Sequence, residues 1–241
     1  MEYSYTAIIL KKREIGETDR LYVLYTREAG KVSAVGRGVR KPSAKLAGQL
    51  ETFNRGAVMV ARSKGMGNIT GAVSEWSGLA LKGDADGLAM VFDAMKVFDR
   101  MVGGEERDAK LFDLVRDYLE AMELSIIEKK ERTVRRILTQ AFLFQVFARL
   151  GYRLETAVSL ATGEPLRASE RYGLSIAEGG LIEWEYAILK QGVIPIGNDA
   201  IKLLRLFFSQ RLASLVKVRV NDAALAETQS GLDALTRWVA P

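Results

Sequence analysis

The chain contains neither cysteine nor histidine, and these two absences together remove most of the chemistry a sequence can announce. No disulfide, thiolate nucleophile or imidazole base can form, and the Cys/His ligand sets that zinc requires are missing. Carboxylate or lysine catalysis and hard-metal sites of Asp and Glu oxygens survive this filter. The acids are spread along helix faces, however, so no cofactor and no metal is expected, and the chain reads as a non-enzyme. Long apolar runs are also lacking. Ile137 to Leu150 is interrupted by Thr139, Gln140, Gln145 and Arg149, short of the roughly 20 residues that cross a bilayer. Lys11 and Lys12 follow the short Ala7 to Leu10 run instead of preceding it, the reverse of a signal peptide. A cytoplasmic protein with no membrane partner is expected.

What is present is a local excess of positive charge. Residues 1–80 carry 13 Lys and Arg against 7 Asp and Glu, whereas residues 81–241 carry 22 against 23. The basic character therefore belongs to the first third of the chain. It is densest around Gly36-Arg37-Gly38-Val39-Arg40-Lys41-Pro42-Ser43-Ala44-Lys45, where flexible backbone and cations alternate as a phosphate-holding loop would require.

The hydrophobic period divides the chain at the same place. Thr6 to Arg13, Arg20 to Thr26 and Lys31 to Val35 read as three strands in quick succession, with Arg27-Glu28-Ala29-Gly30 as a short hairpin loop between the second and third. A short helical segment is expected near Leu46 to Leu50. Ala57 to Ala61 and Ile69 to Val73 then read as two more strands around a turn over Ser63 to Asn68. Five strands with a break after the third match an OB-type Greek-key barrel, with an SH3-like barrel as the close alternative. Beyond Gly78 apolar residues recur at three and four positions, as in Leu88, Val91, Phe92, Met95 and Phe98, and in Leu111, Leu114, Val115, Tyr118, Leu119 and Met122. Thr133 to Leu150 is apolar on more than one face, which places it in the middle of a bundle. Gly151 to Gly180 reads as irregular. Helices are expected again over Trp184 to Leu189, Ala200 to Leu215 and Ala223 to Val239, with Asn198-Asp199 and Asn221-Asp222 as caps. The expected architecture is α+β, with an OB-fold nucleic-acid-binding domain over 1–80 and an α-helical domain over 81–241, carrying an irregular insertion at about 151–183.

Nine cations of the first domain are candidates for a track along a nucleic-acid backbone: Lys11, Lys12, Arg13, Arg20, Lys31, Arg37, Arg40, Lys41 and Lys45. Tyr3, Tyr5, Tyr22, Tyr25, Phe53 and Trp76 could stack on unpaired bases, although most belong to the core. Alternation along the second strand makes Tyr22 a better exposed candidate than Tyr25. Gly30-Lys31 is no Walker A loop, because Tyr25 stands where the first glycine belongs and Val32 where Ser or Thr belongs. Asp84 and Asp86 fit helix capping better than a calcium loop. In the helical part, Arg132 and Arg136 at the start of the central helix could meet an acidic peptide whose apolar residues enter a groove between helices. An RNA-binding or ribosome-associated barrel protein shares these electrostatic features. An enzyme using carboxylate or lysine chemistry in the helical part is the weaker rival.

Several segments taken in order resemble the opening of the bacterial recombination mediator RecO family: Ala7-Ile8-Ile9-Leu10, Gly16-Glu17-Thr18-Asp19-Arg20-Leu21, Tyr25 to Lys31, and Gly36-Arg37-Gly38-Val39-Arg40-Lys41. Phe142 to Gly151-Tyr152 resembles the family's central helix and its end. The resemblance implies a non-enzymatic DNA repair and recombination protein that binds single- and double-stranded DNA and anneals complementary strands. It also implies partnership with RecR in loading RecA onto DNA covered by single-strand-binding protein, whose acidic C-terminal tail the helical domain would contact, with Arg132 and Arg136 as docking residues. Many members hold zinc between two Cys-x-x-Cys pairs. Here Ser159 and Thr162 stand at the first pair and Glu183 and Tyr186 at the second, so the resemblance implies a member without that metal.

Overall fold

The computed structural model describes residues 1–62 and 66–239; the first half of the turn expected over Ser63 to Asn68 lies outside the described residues. Five strands form a closed barrel in the order β1-β2-β3-β5-β4. They are β1 (Glu2–Ile15), β2 (Asp19–Thr26), β3 (Gly30–Gly36), β4 (Arg55–Ala61) and β5 (Gly67–Trp76). This order, with β3 and β5 parallel and the other pairs antiparallel, is the OB-fold topology expected of the sequence. β1 closes the barrel because it is long enough to serve two neighbours: its first half pairs with β4 and its second half with β2.

Strand alternation fills the interior with Tyr5, Ala7 and Ile9 from β1, Tyr22 and Leu24 from β2, Val32 and Ala34 from β3, and Val58, Val60 and Ile69 from the last two strands. A bulge follows Ile9, so that Ile9 pairs with Leu24 while Lys11 pairs with Val23. The extra residue, Leu10, reverses which side chains face inward for the rest of the strand. The β2–β3 turn is held by buried Thr26, whose hydroxyl donates to Gly30 O at 2.9 Å and accepts from Ala29 N at 3.1 Å.

The segment from 37 to 54 contains no helix. Its expected helical turn is a single hydrogen-bonded turn, Leu50 N to Leu46 O at 3.1 Å, that drives Leu50 into the barrel core. Short α1 (Leu79–Gly83), α2 (Ala85–Met101) and α3 (Ala109–Ile127) follow. Asp84 caps α2 by accepting from Gly87 N at 2.7 Å, the role its position suggested. The chain forms two compact units, one of Met1–Leu88 with Val102–Glu123 and one of Ala89–Met101 with Leu124–Pro241. In the first, Tyr25 points outward from the barrel and stacks on Phe112 of α3 at 6.3 Å between ring centroids.

In the second unit, α4 (Arg132–Arg149) is the central element. Its Phe142 meets Phe98 and its Phe144 meets Phe207 and Phe208, with ring centroids 5.9–6.2 Å apart. The buried Gln140 amide donates to Leu225 O at 3.1 Å and accepts from the Thr228 hydroxyl at 2.6 Å, which satisfies this pair of buried polar side chains. The segment read as irregular instead includes β6 (Arg171–Ser175), and with β7 (Gly180–Glu183) and β8 (Ile194–Gly197) it makes a three-stranded antiparallel sheet. Strands of four or five residues leave little periodic signal, and β6 and β7 are buried without alternation. α5 (Trp184–Ala187), α6 (Asn198–Ser209), α7 (Leu212–Leu215) and α8 (Asp222–Val239) complete the chain. The helix expected over Ala200 to Leu215 is broken at Gln210 and Arg211, which take extended backbone. Asn221 caps α8 through Ala224 N at 2.7 Å. Asn198 is no cap: the N-cap of α6 is Gly197, and the Asn198 amide donates to Ser169 O. Among the described residues no helix is long and apolar enough to cross a membrane.

Candidate nucleic-acid interface

One end of the barrel is made by two segments folded against each other, the β1–β2 hairpin tip and the loop that leaves β3. Asp19 joins them. Its carboxylate accepts from Gly38 N at 2.8 Å and from the Thr18 hydroxyl at 2.9 Å, and these donors, the Gly38 amide first, hold its pKa below the ordinary carboxylate range. Arg37 and Lys41 add their positive field to the same effect. Thr18 O accepts from Arg40 N at 3.0 Å, and Arg40 Nη1 reaches Gly16 O at 3.4 Å. Turns from Lys41 N to Gly38 O and from Ala44 N to Lys41 O compact the loop, while buried Val39 and Leu50 anchor it in the core. A glycine-rich basic segment is thus held in one conformation by its neighbours.

The expected cations do not all come together. Arg13 pairs across the ladder with Leu21 on the outer face, and Lys11 lies one outward position back along β1, paired with Val23. Arg37, just beyond β3, donates through Nε to Asn68 Oδ1 at 2.9 Å. Arg20 and Arg40 meet at Glu14, and Arg37 and Lys41 lie near Asp19, so these four gather at the hairpin tip and its loop; Lys11 and Arg13 lie on the outer face of β1, and Lys45 is exposed farther along the loop. Lys31 does not join them: it pairs with Tyr25 at the far end of β3, about 13 Å along the strand from the Leu21 row at ~3.3 Å per residue. Lys12 shares the inward face of Tyr22 and is ion-paired with Glu51. Arg20 and Arg40 both meet Glu14, at 3.7 Å and 3.3 Å, an acid the sequence reading passed over.

The aromatic candidates fare differently. Tyr22 is completely buried, as are Tyr25 and Phe53. The expectation that Tyr22 is exposed fails because the face shared by Tyr22 and Leu24 is the barrel interior. Burial raises the Tyr22 pKa, with nearby Arg20 opposing the shift. Tyr3 is exposed and lies against Tyr5 at 6.0 Å, but it belongs to the opposite end of β1. Segments 11–21 and 36–52, which build the cationic end, contain no aromatic residue.

In the second unit, Arg132 is exposed and Arg136 half-buried in the first turns of α4. A cleft of about 540 Å³ beside this helix is lined by Lys130, Glu131, Thr133 and Val134, and across from them by Val216 to Val220. Arg132 and Arg136 do not line it. Its basic residues are Lys130, Lys217 and Arg219, and the alternation Val216-Lys217-Val218-Arg219-Val220 was the sequence signal that could have found them. The side of this segment formed by Val218 to Val220 also borders a second, more apolar cleft with Leu203, Leu206 and Lys202.

The four residues at the zinc positions do not fit a metal of that kind. Ser159 donates its hydroxyl to Glu183, both buried; Thr162 accepts from Glu164 N at 3.3 Å; and Tyr186 is exposed. None offers a thiolate or imidazole. Among the described residues no group of three or more acids is placed to hold a metal ion.

A closed OB barrel with a cationic loop packed on a hairpin tip, followed by a chiefly helical region, defines an OB-fold protein with a helical C-terminal part. The family described as Recombination protein O N terminal matches residues 1–75, and that described as Recombination protein O C terminal matches residues 83–240. The chain belongs to the RecO family of DNA repair proteins. It is similar to proteins named DNA repair protein RecO from Dehalococcoides mccartyi (27% identical, covering 99% of this chain and 90% of the relative), Roseiflexus sp. (29%, 98% and 81%) and Heliobacterium modesticaldum (28%, 98% and 84%).

Proposed function

We propose that this chain binds single- and double-stranded DNA through the cationic barrel end, anneals complementary strands, and acts with RecR to help load RecA onto DNA covered by single-strand-binding protein. The observation that carries the reading is the Asp19-anchored loop, which holds Arg37, Arg40 and Lys41 beside Arg20. Cations fixed in one conformation lose less entropy on meeting phosphates than cations on a free loop. With no aromatic residue in the segments around them, they can neutralise backbones while leaving base edges unstacked on protein and free to find their complements. No bond is made or broken in such a step. The helical part takes the protein partner: the acidic, apolar C-terminal tail of single-strand-binding protein suits a valine-lined cleft ringed by Lys130, Lys217 and Arg219, near Arg132 and Arg136.

The test is binding and annealing of complementary oligonucleotides by the unaltered chain and by a triple variant, Arg37→Ala, Arg40→Ala and Lys41→Ala. If about four phosphates are engaged, log affinity for single strands should fall with log salt at a slope near −3, at roughly −0.7 per contact. The triple variant should bind more weakly and with a shallower slope. Its melting temperature should change little, because exposed substitutions usually cost under about 0.5 kcal/mol each. A flat salt response, or unchanged binding by the triple variant, would refute the placement of the site.

A further inference from the structure

A carboxylate stands inside the cationic cluster. Glu14 lies directly opposite Arg20 across the β1–β2 ladder. Its Oε1 is 3.7 Å from Arg20 Nη2 and 3.3 Å from Arg40 Nε. One oxygen therefore joins a guanidinium on a strand to a guanidinium on the loop, which is where a phosphate oxygen would also be drawn. The carboxylate is 57% exposed, and the two guanidinium side chains are 22% and 33% exposed. The contact is wet, so it is weak and open to exchange.

We infer that Glu14 is an internal phosphate mimic: it occupies Arg20 and Arg40 while no strand is bound, and an incoming backbone phosphate of single-stranded DNA displaces it. This role rests on the proposed DNA-binding function of the barrel end. Competition of this kind lowers resting affinity, and it gives the two arginines a replacement partner at the moment a strand leaves. Release is then fast, as a protein that must hand a paired product on requires. Asp19, five residues away, has the opposite role. One of its oxygens accepts from both the Gly38 amide and the Thr18 hydroxyl, so it positions the loop.

The experiment compares the unaltered full chain with Glu14→Gln and Asp19→Ala on a single-stranded oligothymidine. Fluorescence anisotropy across a salt series gives affinity, and stopped-flow dilution gives the dissociation rate. Glutamine keeps the size of the side chain and removes its charge. Glu14→Gln is expected to bind about three- to tenfold tighter at low salt, the scale set by one unit charge a few ångströms from another in water. It should also release the strand more slowly and steepen the salt slope by about 0.7 for each phosphate newly engaged. Asp19→Ala is expected to bind more weakly. If Glu14→Gln binds no tighter, or weakens as Asp19→Ala does, Glu14 holds the arginines in place and the mimic is overturned. Failure of the unaltered chain to bind in a salt-dependent way would overturn the DNA-binding role as well, and it is visible before any substitution is compared.

Discussion

Replacing Gly30 with alanine should unfold the barrel at markedly lower temperature, and a second glycine allows the cause to be isolated. Gly30 opens β3 at φ +71°, and a Cβ built on it would lie 2.1 Å from Glu106 O, 2.8 Å from Glu106 C and 2.9 Å from Glu106 N. All three are backbone atoms, so no side-chain rotation relieves the clash. The left-handed conformation alone costs an alanine about 1–2 kcal/mol. Overpacking against fixed atoms adds about 1–3 kcal/mol. Moving the 104–106 backbone away also breaks the bond from Lys31 N to Gly104 O, worth about 1 kcal/mol. The sum is about 3–6 kcal/mol, which in a chain of this length lowers the melting temperature by about 6–24 °C. Gly16, at the hairpin tip, has φ +63° and nothing within 4 Å of its built Cβ, so Gly16→Ala should show the conformational part alone, about 1–2 kcal/mol. Thermal melts followed by circular dichroism measure both. If Gly30→Ala melts no lower than Gly16→Ala, the close approach of Glu106 is not a stabilising constraint and the reasoning fails.

Two further outcomes are expected. Ser159→Ala leaves the buried Glu183 carboxylate without its hydroxyl donor and should destabilise the chain by about 1–3 kcal/mol in denaturant titration; adding Glu183→Leu should recover part of that loss, because removing both partners of a buried bond is far milder than removing one. Asp19, whose pKa is held low by the Gly38 amide and Thr18 hydroxyl, stabilises the loop above the ordinary carboxylate pKa and loses that contribution only as pH falls through its depressed value. The Gly38 amide resonance should therefore hold its position from neutral pH to about pH 4, near where an unperturbed Asp titrates, and move only below it; movement at pH 6 would refute the anchor.

Much of this molecule is legible in its sequence because the relevant patterns are periodic. The barrel strands, the amphipathic helices and the central position of α4 follow from spacing alone, and the capping roles of Asp84 and Asn221 follow from residue type. The missed features are those without a period. β6, β7 and β8 are too short to show a period, β6 and β7 being buried almost throughout, and the break at Gln210 and Arg211 carries no glycine or proline to mark it. At the cationic barrel end the limit is sharper. Lys11-Lys12-Arg13 reads as three neighbouring cations, yet a strand sends successive side chains to opposite faces. Lys11 and Arg13 pair outward with Val23 and Leu21, while Lys12 pairs with the buried Tyr22 and turns to Glu51. Which of the three points outward depends on the single extra residue at Leu10. With no bulge there, Lys11 and Arg13 would share the inward face of Ile9, and Lys12 alone would face outward. A sequence shows that charge is concentrated; one bulge decides which of those charges a strand of DNA could reach.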